Sequence, residues 1–318
     1  MAYLINSIRG EHNMREDLAR LETEQRNMNT VDIDLMSTEE IVDIINKEDQ
    51  TVAFKIAEQK DAIVKLTDAY VKALKNGGRV FYIGAGTSGR LGFIDAAELV
   101  PTYGIEDGVV EGIMAGGLPA MRRAKEFAED HADEGVNDLK ERNFNAKDLL
   151  IGVAASGRTP YVKLAMEYAK SIGAKVGSIS CASNTEISAI ADYPVEIVTG
   201  QEVVLGSTRM KAGTAEKLTL NLISTTAFIR LGHTYKNLLI SDGKKPTTEK
   251  SYYRVIRMIA QETNKPEEEV KKIFDENDQN SKMTVCILKT GLSADECRKL
   301  LDSFDGRLRE ALKSLNID

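Results

Sequence analysis

The 318-residue chain predicts an α/β fold: a three-layer parallel sheet flanked by helices, followed by a small C-terminal helical domain. Three observations predict it. Five short apolar runs, RVFYIGAG, VVEGIMAGG, DLLIGVAASG, AKVGSISCAS and YPVEIVTG, are mostly β-branched at their cores and close on Gly or Ser. Most are separated by stretches long enough for a helix, which is the alternation of a parallel sheet covered on both faces. From about Tyr252 onward no such run recurs, and short helical patterns fill the chain.

In order, residues 1–50 are charged and helix-patterned, from MREDLARLETEQRN to STEEIVDIINKED, and form a helical lead-in. Ser37 or Thr38 suits an N-cap, with Glu39 and Glu40 in the first turn. An amphipathic pattern from Thr51 to Leu74 ends at Asn76-Gly77-Gly78, residues that commonly terminate helices. The five strands and their helices then occupy 51–241. A long helical pattern follows Met210, DGKKPTTEK (242–250) reads as a polar linker, and 242–318 make the linker and the small domain. In that domain TNKPEEEVKKIFDEN and SADECRKLLDSF each open on a capping hydroxyl with acids behind it.

Composition removes several functions. With 42% hydrophobic and 29% charged residues the chain can bury a sizeable core. Its net charge of -7 is spread along the sequence without a Lys/Arg cluster, which argues against a nucleic-acid partner. No apolar run reaches the about 18 residues of a membrane span, and the N-terminus lacks a signal-peptide core, so a cytoplasmic protein is expected. Cys181, Cys286 and Cys297 fall in no metal-ligand spacing and read as reduced thiols. His12, His131 and His233 lie far apart in sequence, and no metal site is expected.

In a parallel sheet the ligand-bearing residues lie just after the strands. Three such places carry a hydroxyl loop with an arginine: Ser88-Gly89-Arg90, Ser156-Gly157-Arg158 and Ser207-Thr208-Arg209. In GAGTSGR three glycines let backbone N–H groups approach an anion, Thr87 and Ser88 add hydroxyls, and a helix N-terminus follows. The loop has no Walker lysine, and no acidic residue stands where a dinucleotide fingerprint needs one. Its Ser and Thr content favours a small phosphorylated ligand, although the same glycines would also serve a plain strand-to-helix turn. Beyond the loop, Glu98 stands near the end of the following helix, and EFAEDHADEG holds five further acids. Most of these are solvated, but two carboxyls in unlike environments could serve as acid and base.

TEQRN, GGRVFYIGAGTSGRLGFIDAAE, AEDHADEGVNDL, AASGRTPYV and GSTRMKAGTAEKLTLNLIST together resemble the N-acetylmuramic acid 6-phosphate etherase family of sugar isomerase (SIS) domain enzymes, from about Thr23 to the C-terminus. The resemblance implies a SIS-type sheet, a three-helix C-terminal domain and a homodimer. It implies Glu98 as the acid at the departing lactyl oxygen, Glu129 as the base at sugar C2, and neither metal nor organic cofactor. The substrate it implies is a phosphorylated amino sugar. Ser88, Ser156 and Thr159 are then expected to bind the phosphate with Thr87, Gly89, Arg90, Gly157, Arg158 and Ser207 around them, while Arg209 and Lys211 neutralise the phosphate or the lactyl carboxylate. The chain departs from the family at Met28, at Leu99-Val100 and in NLLISDGKKPTTEKS, where Thr248 stands for an asparagine. A sugar-phosphate sensor or an aldose–ketose isomerase would use the same loops.

Overall fold

The computed structural model describes residues 22–240, 245–246 and 248–317. The chain divides into two compact units: one comprises the sequence up to Ala97 together with Gly108–Ser224, the other Glu98–Asp107 together with the sequence from Thr225.

The first unit is built on five strands, β1 Val80–Gly84, β2 Val110–Met114, β3 Leu149–Val153, β4 Lys175–Ser180 and β5 Tyr193–Glu196. They are all parallel, in the order β2-β1-β3-β4-β5. Each of the five apolar runs is therefore a strand. β1 and β3 are buried along their whole length, which is why they read as continuous apolar runs without alternation.

Two glycines show that both faces of the sheet are covered. Ile151 is the registered partner of Gly177, so Gly152 points to the opposite face. A Cβ on Gly177 would stand 2.4 Å from Leu66 Cδ1 of the helix Lys60–Lys75, whereas a Cβ on Gly152 would stand 2.3 Å from Met166 Sδ of the helix Pro160–Ser171. One helix lies against each face, and the third layer follows.

The described part of the lead-in opens on tight turns. Residues 22–35 carry three 3-10 turns, Glu22–Glu24, Met28–Thr30 and Ile33–Leu35, before the helix Thr38–Asp49. Its N-cap is Ser37, in a reciprocal capping box with Glu40. The earlier part of MREDLARLETEQRN lies outside the described residues. The pattern from Thr51 to Leu74 is broken at Gln59 into Val52–Glu58 and Lys60–Lys75, and Gly77 at φ 71° follows the second.

The second unit contains Glu98–Tyr103, the C-terminal end of the helix Gly86–Tyr103, where the Tyr103 ring stacks on Phe228 at 4.7 Å. Five helices, two more than the resemblance implies, run from Glu249 to Ser314 around a core that includes Ile256, Ile259, Val270, Phe274 and Leu308. Four of the nine linker residues, 242–244 and 247, lie outside the described residues. Thr248 caps Glu249–Thr263, its hydroxyl accepting from Ser251 N. The expected Thr263 cap of the next helix is instead the last residue of the preceding one. Asn264 takes the left-handed turn, and Pro266 precedes Glu267–Glu276. Ser293 caps Ala294–Asp302 as expected.

Candidate functional site

Reversal of strand order at β1 makes the β1/β3 boundary the switch point, and the loops after these two strands leave from paired ends, Gly84 beside Val153. The first loop is tight for a steric reason. A Cβ on Gly89 would lie 2.7 Å from both Gly84 O and Met114 Cβ, and one on Gly84 would lie 2.7 Å from Gly89 N. Gly86, by contrast, has open space around it and is needed for its φ of 53°. In the second loop Gly157 has φ 67°, and a Cβ there would stand 2.2 Å from Thr185 Cβ. Thr159 precedes Pro160 at N1, and its hydroxyl makes no capping bond.

The third loop joins the first. Thr87 Cγ2 lies 3.3 Å from the position of a Cβ on Gly213, and Ser88 Oγ lies 2.8 Å from Glu216 Oε1. Beneath them the Glu202 carboxylate accepts from Lys211 N and Ala212 N, both at 2.9 Å, fixing the start of the helix Lys211–Arg230. Cys181, at the end of β4, donates its N–H to Ala155 O at 2.8 Å and its thiol to Ala212 O at 3.5 Å. Ser88, Ser156 and the 207–213 loop are thus carried on one connected floor.

Among the expected ligands, Ser88 and Gly157 are buried, while Thr87, Ser156, Arg158, Thr159 and Ser207 are half-buried and Arg209 is exposed. Two basic residues already have partners within the protein. Arg90 donates to Ala120 O at 2.7 Å and to Met121 O at 3.4 Å. Lys211, only 3% exposed, places Nζ 2.7 Å from Glu48 Oε2. Its ammonium therefore braces the lead-in instead of facing the loop.

Glu129 follows Phe127, a non-glycine residue in the left-handed region at φ 61°, and the turn Ala128–Asp130 begins there. Such strain persists where the surroundings hold it, and it often marks a working site. A cleft of about 140 Å³ lies here, lined by Ala85, Gly86 and Arg90 on one side and by Lys125, Phe127 and Glu129 on the other. The glycine loop and the expected base share one opening. Glu98 is exposed on the second unit and lies within the helix Gly86–Tyr103, which continues through Pro101. A larger cleft of about 530 Å³ between Asn184, Thr185, Ser188 and Glu196 holds no acid–base pair, since Glu196 already accepts from Asn184 N and Thr185 N.

Sequence reasoning missed Glu216, Glu202 and Cys181, which form the floor. The available signal was an acid in the first turns of a helix that starts from a ligand loop. Among the described residues no group of three or more His, Cys, Asp or Glu is arranged to hold a metal ion, and no helix is long and apolar enough to cross a membrane.

Residues 62–170 match the family model described as glucokinase regulatory protein N-terminal SIS domain. The parallel sheet with its switch-point loops is an α/β fold of the SIS class. Over 298 residues the chain is 45% identical to the N-acetylmuramic acid 6-phosphate etherase of Clostridioides difficile (strain 630), covering 94% of this chain and 97% of that protein. It is 46% identical over 299 residues to the etherase of Halalkalibacterium halodurans, covering 94% and 100%. The chain belongs to the N-acetylmuramic acid 6-phosphate etherase family. Among solved structures, a phosphoheptose isomerase from Francisella tularensis is 18% identical, with a TM-score of 0.45 over 61% of this chain and 100% of that chain.

Proposed function

We propose that this chain cleaves the lactyl ether of N-acetylmuramic acid 6-phosphate by elimination followed by addition of water, giving N-acetylglucosamine 6-phosphate and D-lactate. The observation that carries the reading is the shared cleft of Gly86 and Glu129 in a chain of this family. With the sugar open to its aldehyde, the C2 proton is acidic, and Glu129 as base removes it. The electron pair forms a C2–C3 double bond as the C3–O bond breaks, and Glu98 as acid protonates the departing lactyl oxygen. Water then gives its hydroxyl to C3 and a proton to C2. The remote phosphate, held by Ser88, Ser156, Thr159 and neighbouring N–H groups, orients the reacting carbons.

The chain is further proposed to act as a homodimer. Support comes from the helix Lys211–Arg230, which carries apolar residues on every side and leaves Leu218 and Leu222 exposed. Residues 51–241 are proposed as the sugar-phosphate-binding and catalytic domain, with 1–50 as lead-in and 242–318 as linker and helical domain. A substrate charged at neutral pH, which does not cross membranes unaided, supports a cytoplasmic location. Enzymatic assay of D-lactate released from N-acetylmuramic acid 6-phosphate tests the activity. Release by the purified chain is expected; a folded chain that binds the sugar without releasing lactate would overturn it.

A further inference from the structure

Glu216 is a fully buried acid for which neither the phosphate cradle nor the two proton transfers has a use. One carboxyl oxygen, Oε1, lies 2.8 Å from Ser88 Oγ. The other, Oε2, is buried with no hydrogen-bond partner among the described residues. An ionised carboxylate with one hydrogen bond and an orphaned oxygen is costly, whereas a neutral carboxyl in the same place is cheap. Burial pushes the group up to about 8, against the opposing pull of the Ser88 hydrogen bond.

We propose that Glu216 is a positioning residue for phosphate binding, donating its own proton to Ser88 Oγ so that the Ser88 hydroxyl hydrogen is left for the substrate phosphate. The proposal rests on the reading that Ser88 contacts that phosphate. A hydroxyl has one hydrogen and two lone pairs, so the direction of the Ser88–Glu216 bond decides what Ser88 can offer. Neutral Glu216 makes Ser88 an acceptor on its inner side and a donor on its outer side. Ionised Glu216 takes the Ser88 hydrogen, turns a lone pair toward the phosphate and sets a second negative charge behind it. Both effects oppose an anionic ligand, and by linkage the bound phosphate holds the proton on Glu216.

Among the described residues, Cys181 and Glu202 are the other titratable groups that share this floor. From the end of β4 comes Cys181, whose thiol is pushed well up by burial and by the carboxylates of Glu216 and Glu202. From the loop before the helix comes Glu202, itself pushed up by burial against its hydrogen bonds from Ala212 and Lys211 N–H and the Lys211 charge. The substrate phosphate titrates near 6, roughly two units lower, so its own ionisation is separable from that of Glu216.

The test is KM and kcat for D-lactate release between pH 6.5 and 9.5, for wild type, Glu216→Gln, Ser88→Ala and Cys181→Ala. Glutamine is neutral at every pH and its amide can donate to Ser88 Oγ. For wild type, KM is expected to climb above the Glu216 titration, approaching about tenfold per pH unit, with kcat unaffected. Glu216→Gln should hold the low KM across the range, and Cys181→Ala should keep the wild-type climb. Ser88→Ala should raise KM throughout and abolish the climb. A wild-type KM without the climb, or a climb retained in Glu216→Gln, overturns the role of Glu216 even if Ser88→Ala weakens binding. If Ser88→Ala leaves KM untouched, the phosphate reading itself fails, and the proposal with it. Should Glu216→Gln not fold, a climb retained in Ser88→Ala, or lost in Cys181→Ala, overturns the proposal.

Discussion

Lys211 and Glu48 form a shielded ion pair, Nζ to Oε2 at 2.7 Å, that ties the first turn of the helix Lys211–Arg230 to the end of the helix Thr38–Asp49. Burial raises the Glu48 carboxyl, but the Lys211 ammonium and the amides of Asn27 and Asn29 outweigh it and hold the group below its ordinary range. Glu48→Ala would leave a buried ammonium unpaired, and a loss of about 3 kcal/mol in urea unfolding is expected. The sign with pH follows from the depressed value. The pair's contribution is present above the ordinary carboxylate range and is lost as pH falls through the folded value, so wild type and Glu48→Gln should converge in acid. A constant gap between pH 3 and 7 would show that Lys211 does not depend on Glu48.

Within one loop, two glycines should respond differently to alanine. At Gly89 a Cβ meets backbone oxygen and a side-chain carbon at 2.7 Å, and neither can move without shifting β1 or β2. At Gly86 the space is open and only the left-handed backbone resists, at about 1–2 kcal/mol. Gly89→Ala is expected to lose at least twice the stability that Gly86→Ala loses, together with lactate release. Equal urea midpoints would mean that the loop is not held against the strands.

Replacement of the proposed proton-transfer acids should act on turnover. Glu98→Gln and Glu129→Gln remove a proton donor or acceptor while keeping shape, and each should lower kcat by about 10²–10⁴ with little change in KM. Wild type alone should exchange the C2 proton of the substrate or product with deuterium from solvent at full rate, and Glu129→Gln should lose that exchange. Exchange retained in Glu129→Gln would remove it as the base.

The strands were legible because β-branched runs ending in Gly or Ser have few alternatives to a buried parallel strand, and the loops after β1 and β3 followed from topology. Ser37 and Ser293 were legible as caps, since a hydroxyl with an acid three residues on has a local meaning. Arg90 and Lys211 were not. As sequence they are cations beside a ligand loop, and only the fold shows that one bonds to Ala120 and Met121 carbonyls and the other to Glu48. The TEQRN segment illustrates the same limit. It packs toward the third loop, with Glu22 just before it accepting from Ser183 Oγ and Thr30 just after it donating to Val203 O, contacts far too distant in sequence for any local pattern.

Dimerisation is open to a direct check. Light scattering should give twice the 35.0 kDa of the chain, and Leu218→Glu with Leu222→Glu should halve that mass without unfolding the protein. A wild-type mass of one chain would remove the homodimer.

Glu216 makes a prediction about stability that needs no substrate. Its folded carboxyl is raised to about 8 from an ordinary 4.5, so the folded chain holds this proton more tightly than the unfolded chain does. The stability this contributes is fully present below 4.5 and is lost as pH rises through 8. Glutamine cannot ionise, so it keeps the neutral state's advantage over the whole range. Urea midpoints of wild type and Glu216→Gln should therefore lie close at pH 4.5 and separate in favour of glutamine by pH 9, with unchanged slopes. If the two midpoints run parallel from pH 4.5 to 9, the carboxylate ionises at no cost. Its burial beneath Ser88 would then no longer account for a proton held at neutral pH.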